Sequence, residues 1–378
     1  MRAAAVLAVL LLFACDDDGI RPPIDPIITD LTAEPLIVAT GEQSTITAVG
    51  YDREQHPLTY SWEATGGSLA GAGDSVVWTA PEVEGTYAIF LTILDEEGGT
   101  DTDSVLVDVR NGTLLINTGG GLIAYGFDGD HFGITEGRSL SGTDLLKGDD
   151  IEVFGTRIYL SGIKEEYRIL EVGYDGRLLS STSPIRPDIY AAGFTVLPDG
   201  GFAVLDNYSD SVHILDQDGF PRATVPIPDP LPGLLGRQIV DGLVVGNRLI
   251  VSETGRGKIF SVDLTTYETF VFFEFFETES WLGAIAWDGG EVFHVYMNHD
   301  GVGKVFAFAE TGEPQKVCTL PETNAFGLAS VGSYLFATVN RAGTVYRINR
   351  FTRKVEKILD GLDWPTDIEY LPVGLEKG

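Results

Sequence analysis

Six short segments of this 378-residue chain can be written beneath one another. They are "DDIEVF" from Asp149, "AGFTVL" from Ala192, "DGLVVG" from Asp241, "LGAIAW" from Leu282, "FGLASV" from Phe326 and "TDIEYL" from Thr366. Their second residues fall at 150, 193, 242, 283, 327 and 367, in steps of 43, 49, 41, 44 and 40. After an opening segment the same pattern recurs: an apolar strand, a tight turn and another strand, as in "RLIVSETGRGKIFSVD" and "YLFATVNRAGTVYRIN". Self-similarity on this scale constrains the fold more than any composition, because each unit must bury its apolar faces against copies of itself.

A period of about 40–50 residues with four strands is that of a β-propeller blade. Shorter coils would be needed for a β-helix, and no amphipathic helical stripe appears after residue 20. The count settles on six. The segment from Gly112, "GTLLINTGGGLIAYGFDGDHFGI", has no opening strand of its own, whereas "TDIEYLP" is an opening strand without followers. The two ends of the repeat region therefore complete one blade, which closes the ring and removes a free sheet edge. This predicts an all-β fold with a six-bladed propeller over residues 111–373, closed by the C-terminal strand, and a short tail at 374–378.

Residues 27–110 read as a separate unit. Alternating strands such as "STITAVGYD", "LTYSWEAT", "SVVWTAP" and "GTYAIFLTILDEEG" fill it at the size of an immunoglobulin-like sandwich. The order "PLTYSWEATGG", "VVWTAP", "GTYAIFLTILDEEGGTDTDSVLVDV" resembles PKD and related bacterial Ig-like domains. That resemblance implies a core tryptophan at Trp62 and a tyrosine near a sheet corner at Tyr87. For Trp62 and Trp78 alike, a place in the core outweighs a binding role.

The N-terminus reads as an address. Arg2 precedes an apolar run from Ala3 to Phe13, too short for a permanent span and suited to a secretory signal over residues 1–14. Leu12-Phe13-Ala14-Cys15 resembles a bacterial lipobox, which implies acylation of Cys15 and a membrane partner reached through that lipid. Residues 15–26, rich in Asp and Pro, read as an extended tether. Together these predict a lipid-anchored protein of the bacterial cell envelope, on the periplasmic side or the cell surface. With 56 acidic against 25 basic residues the formal charge is −31, a field that repels phosphate backbones and excludes nucleic acid as a partner. The second cysteine, Cys318 in "KVCTLP", alternates with apolar neighbours as a buried strand thiol does.

The repeat region, and "VLPDGGFAVLDNYSDSVHILDQDG" above all, resembles NHL and SMP-30/gluconolactonase-type propellers. The resemblance implies a divalent metal on the axis, held by Glu, Asn and Asp at the mouths of innermost strands. Here the family's Asn-Gly would be Ala192-Gly193 and its Asp-Gly would be Leu282-Gly283, so two ligands are missing. Asp149, Asp150, Asp241 and Asp367 remain as weaker candidates to crowd one mouth with carboxylates and take a hard cation such as calcium. Carboxylates that cap strands or face water are the competing reading. None of the five histidines has a ligand spacing, and neither a G-x-S-x-G elbow nor a P-loop is present.

"FVFFEFFETESW" places Phe270, Phe272, Phe273, Phe275 and Phe276 within seven residues on an outermost strand. Packing on a neighbouring blade or on the Ig-like unit competes there with an intermolecular patch. The function these features favour is a non-catalytic binding or scaffold module for a protein, glycan or small molecule, with the Ig-like unit as spacer. The alternative is a metal-dependent hydrolase or lactonase of the SMP-30 type.

Overall fold

The computed structural model describes residues 24–128, 131–134, 138–139, 150–163, 167–174, 176–185, 191–228, 239–254, 257–275, 281–299 and 301–372. The signal and Cys15, most of the tether, Asp149, Phe276 and the tail at 374–378 lie outside them. Every regular element among the described residues is a strand, as the density of Val, Ile, Thr and aromatic residues in period-2 alternation dictates.

Two four-stranded sheets form first. One runs in the order Ile27–Glu34, Gln43–Tyr51, Ser75–Thr79, Ser68–Ala72. The other runs Ile37–Val38, Thr100–Val109, Gly85–Leu94, Thr59–Ala64, with its first pair parallel. Their facing residues, Ile46, Trp78, Ile89 and Val107 among them, are fully buried between the sheets. The tryptophan at the centre is Trp78, whose indole N–H donates to the Gly66 carbonyl at 2.9 Å. Trp62, placed there by sequence, is only half-buried and donates to the Gly73 carbonyl at the rim. Tyr87 does sit at a corner, donating its hydroxyl to the Val83 carbonyl at 2.9 Å.

Six further antiparallel sheets follow, numbered here in order. Sheet 1 contains His131–Ile134, Gly121–Asp128, Thr113–Thr118 and, from the far end of the chain, Asp367–Leu371. Sheets 2 to 6 open on Ile151–Phe154, Ala191–Val196, Ile239–Val245, Trp281–Trp287 and Ala325–Val331, each followed by three strands in sequence order. The pairing that the repeat demands is present: Asp367 faces Asn117 and Leu371 faces Thr113 across the ladder.

Packing repeats with the strands. One apolar cluster joins sheets 1 and 2 through Leu115, Ile151 and Leu371, and a second joins sheets 2 and 3 through Tyr159, Phe194 and Phe202. Others join sheets 3 and 4, 4 and 5, and 5 and 6. The last joins sheet 6 back to sheet 1 through Phe336, Leu114 and Ile368. Each sheet thus has both faces covered by its neighbours, which explains near-continuous apolar runs such as "FAVLD" and "YLFATV", buried along their whole length.

The phenylalanine-rich strand Thr269–Glu274 is the outer edge of sheet 4. Phe272 and Phe275 are buried, and rings of this stretch touch Phe293, Phe306 and Phe308 of sheet 5 at centroid distances of 5.1–6.4 Å. Phe270 is exposed. Cys318 is buried with a free thiol, pushed up to about 11 by desolvation.

Candidate functional site: an acidic axial cavity

The opening strands of the six sheets start at one end of a shared cavity of about 460 Å³. Its walls carry five carboxylates, Asp150, Glu152, Asp241, Asp367 and Glu369, among apolar residues that include Leu243, Ile285, Trp287 and Leu328. Among the described residues that line it, none is basic.

Three aspartates form its deepest tier, and each reaches across to the next sheet. Asp367 Oδ2 accepts the N–H of Ile151 in sheet 2 at 3.1 Å. Asp150 Oδ2 accepts the N–H of Phe194 in sheet 3 at 2.7 Å. Asp241 Oδ2 accepts the N–H of Ile285 in sheet 5 at 2.8 Å. These contacts satisfy backbone donors at the start of one opening strand and just after the bulges of two others, which would otherwise be orphaned. Space for them depends on small neighbours: a Cβ on Gly193 would stand 2.8 Å from Asp150 Oδ2.

Aligned by sequence, Asp241 falls in the column of Asp149, one step before Asp150 and Asp367. The structure moves it by one. Asp241 pairs with Ser252 just as Asp150 meets Ser161, so it lies level with Asp150 and Asp367. The level is fixed from the hairpin end: Val245 faces Arg248 across the turn as Phe154 faces Arg157, and Asp241 and Asp150 each stand four residues before that last pair. Asp149 lies outside the described residues.

Glu152 and Glu369 form the second tier, two residues along their strands and on the same face as Asp150 and Asp367. They were not among the sequence candidates, although "DIE" occurs in both opening segments and period 2 aims both its acids one way. Glu152 Oε1 accepts the hydroxyl of Thr195 from sheet 3 at 2.7 Å.

All five side chains are half-buried, but the little surface they show faces the cavity, and protein surrounds them on every side. Desolvation is therefore the first cause of every shift. It lifts Asp241 to about 6 against the pull of the Ile285 and Gly242 N–H groups. It lifts Glu152 to about 8, with Thr195 opposing and the charges of Asp150 and Asp241 reinforcing. Asp150, Asp367 and Glu369 are held well above the usual carboxylate range by burial and by one another's charge. The charge of Asp367 adds to the lift on Asp150, and the two titrate as an interacting pair. Burial and mutual repulsion thus hold the whole cluster toward its protonated form.

Among the described residues, one group of three His, Cys, Asp or Glu side chains brings its donor atoms within 4.8 Å of one another, and it is elsewhere: Asp52, Glu54 and His56. In the cavity the aspartate oxygens are engaged by backbone N–H groups. The residues at the SMP-30 ligand stations sit differently again, Leu282 being buried in the apolar cluster between sheets 4 and 5.

No family model matches the chain, and no curated protein matches it in sequence. Its backbone is similar to a chain of the nidogen/laminin complex, with a TM-score of 0.55 at 14% identity, covering 70% of this chain and 100% of that one. Looser likenesses extend to an auxiliary nutrient binding protein from Bacteroides thetaiotaomicron (TM-score 0.42, 14% identity, 89% of this chain and 86% of that one). Another is the virginiamycin B lyase from Staphylococcus aureus (TM-score 0.41, 13% identity, 79% of this chain and 98% of that one). At such identities the first likeness is one of fold alone, and the looser two carry no weight here.

Proposed function

We propose that the six sheets are the blades of a closed propeller, displayed by an Ig-like spacer over residues 27–110 and anchored to a bacterial envelope through lipidated Cys15. In this reading the propeller is a non-catalytic binding module, and its ligand is a small organic cation taken into the axial cavity. The observation that carries the reading is the composition of that cavity: five carboxylates and apolar walls in about 460 Å³, with no basic residue among the described lining. Such a space suits an amine that pairs with carboxylates while its hydrocarbon part lies against Trp287 and Leu243. Sites of this kind are commonly built where strand ends of a rigid scaffold converge.

Calcium in the same cavity is the competing occupant, with Asp150, Asp241 and Asp367 as its oxygen donors. The backbone contacts of those oxygens favour the amine. A lactone hydrolase of the SMP-30 type draws no support from the site, since Ala192 and Leu282 stand where two metal ligands would be.

Calorimetric titration with short diamines and their neutral isosteres tests the reading. Saturable binding of a diamine, absent for the isostere and weakened at least about tenfold in Glu152→Gln, is the expected result. Calcium displacing the diamine in competition would reassign the cavity to the metal. Indifference to every amine would end the reading.

A further inference from the structure

The first described residues close over one end of the two N-terminal sheets. Ile24 donates its N–H to Glu54 Oε2 at 3.3 Å, and Ile28 donates to Asp101 Oδ2 at 2.8 Å. Between them, Pro26 is buried and Asp25 is exposed. Beneath Asp25 lies the loop that joins Gly85–Leu94 to Thr100–Val109.

That loop wraps around Asp95, which is 95% buried, with only 5% of its surface exposed. Asp95 Oδ1 accepts the N–H groups of Glu97 at 2.9 Å and Gly99 at 2.8 Å. Its other oxygen, Oδ2, is buried and has no hydrogen-bond partner. A sealed carboxylate oxygen without a donor is unfavourable unless something positive meets it. What faces it is another acid. The position a Cβ of Gly99 would occupy is 2.6 Å from Asp95 Oδ2 and 2.9 Å from Asp25 Oδ1, so the two oxygens are at most the sum of these, 5.5 Å, apart. Glycine at 99 is what lets them converge.

We propose that Asp25 Oδ1 and Asp95 Oδ2 hold a calcium ion. Calcium takes carboxylate oxygens at about 2.3–2.6 Å in an adaptable shell, so one ion can bridge two oxygens up to about 5 Å apart, with water completing the coordination. Magnesium demands a stricter octahedron and gives up its waters reluctantly, so it suits a two-carboxylate site less well. Zinc would want nitrogen or sulfur donors. Asp52 and Glu54, on the loop that holds Ile24, add negative potential to the same end of the sandwich. The ion would fasten the chain, where it enters the sandwich, onto the Asp95 loop. This end is remote from the axial cavity, so the proposal stands apart from the function proposed above.

Calorimetric titration of the full chain with calcium chloride in about 0.15 M NaCl tests it, the salt suppressing diffuse binding to a highly acidic surface. The expected result is saturable uptake that falls at least about tenfold in Asp25→Asn and in Asp95→Asn. The charge-matched control Asp218→Asn should bind as the unaltered protein does. Asp95→Asn keeps the Oδ1 acceptor of the loop, and Asp25 is exposed, so a folding defect in the first leaves the second to decide. Calcium should also slow proteolysis next to Ile24 in the unaltered protein and not in Asp25→Asn. Absence of saturable binding overturns the proposal, as does binding that survives Asp25→Asn undiminished, including binding that is lost instead in Glu54→Gln.

Discussion

Asp241 shows how a single side chain here carries both structure and pH response. Its two oxygens accept N–H groups from Gly242 and Ile285, yet burial still lifts it to about 6. Glu152 is lifted to about 8 despite the Thr195 hydroxyl and the Val196 N–H that oppose the shift. In the unfolded chain both titrate near the ordinary carboxylate values of about 4. Between those values and the raised folded ones the native state binds more protons than the unfolded state, so stability must fall as pH rises. Urea midpoints are predicted to decline from about pH 5 to pH 8, and Glu152→Gln, which mimics the protonated acid, should flatten the upper half of that decline. A flat profile in the unaltered protein would show that these carboxyls titrate normally. Ligand binding should run the opposite way. A cation favours ionised acids, so diamine affinity is predicted to increase between pH 6 and 8 with uptake accompanied by proton release, measurable as a buffer-dependent enthalpy.

At the scale of the element, the C-terminal strand decides the architecture. Ile368 and Leu371 are fully buried, one in the cluster between sheets 6 and 1 and the other between sheets 1 and 2. Ile368→Ala is predicted to destabilise by about 2–5 kcal/mol, the range for a buried large-to-small change. Phe270→Ala on the outer edge of sheet 4 should stay within about 0.5 kcal/mol, since its ring is exposed. Denaturant midpoints of the two variants check both. This strand was legible in the sequence because its pattern, "TDIEYL", matches "DDIEVF" at the other end of the repeat. The phenylalanine run was legible only as apolar excess; which rings turn toward sheet 5 depends on how neighbouring sheets stack, and local pattern does not encode that. The tier of aspartates was half legible. Its residue types stand out, but its level is set by hairpin register, and its reach into the next sheet comes from tertiary geometry. Trp62 and Trp78 made the same point in the sandwich: both lie on alternating strands, and only the pairing of sheets selects Trp78 for the centre.

At the scale of the whole molecule, the two N-terminal sheets and the six that follow are joined by more than a connecting peptide. Ile37, with Leu36 beside it, belongs to the apolar cluster of sheets 6 and 1, packed with Leu114, Tyr334 and Ile368. Asp108, 1% exposed, accepts from the Ser333 N–H at 2.5 Å, the Ser333 hydroxyl at 2.8 Å and the Thr86 hydroxyl at 2.6 Å. An N-terminal unit bound in this way is held firmly, because moving it would uncover apolar surface and expose a buried carboxylate together. Asp108→Ala removes the common acceptor and leaves the buried Ser333 N–H and hydroxyl without it, at about 1–3 kcal/mol for each group left unsatisfied. The coupling between the two parts should weaken with it. Trp78 reports on the sandwich and Trp287 on the sheets around the cavity, so single-tryptophan versions can follow each part separately. The two probes should trace one coincident urea transition in the unaltered protein and two separated transitions in Asp108→Ala. Coincident transitions in the variant would mean that the apolar contact through Ile37 suffices to couple the parts. Separate transitions already present without the substitution would mean that the junction does not bind them into one cooperative unit.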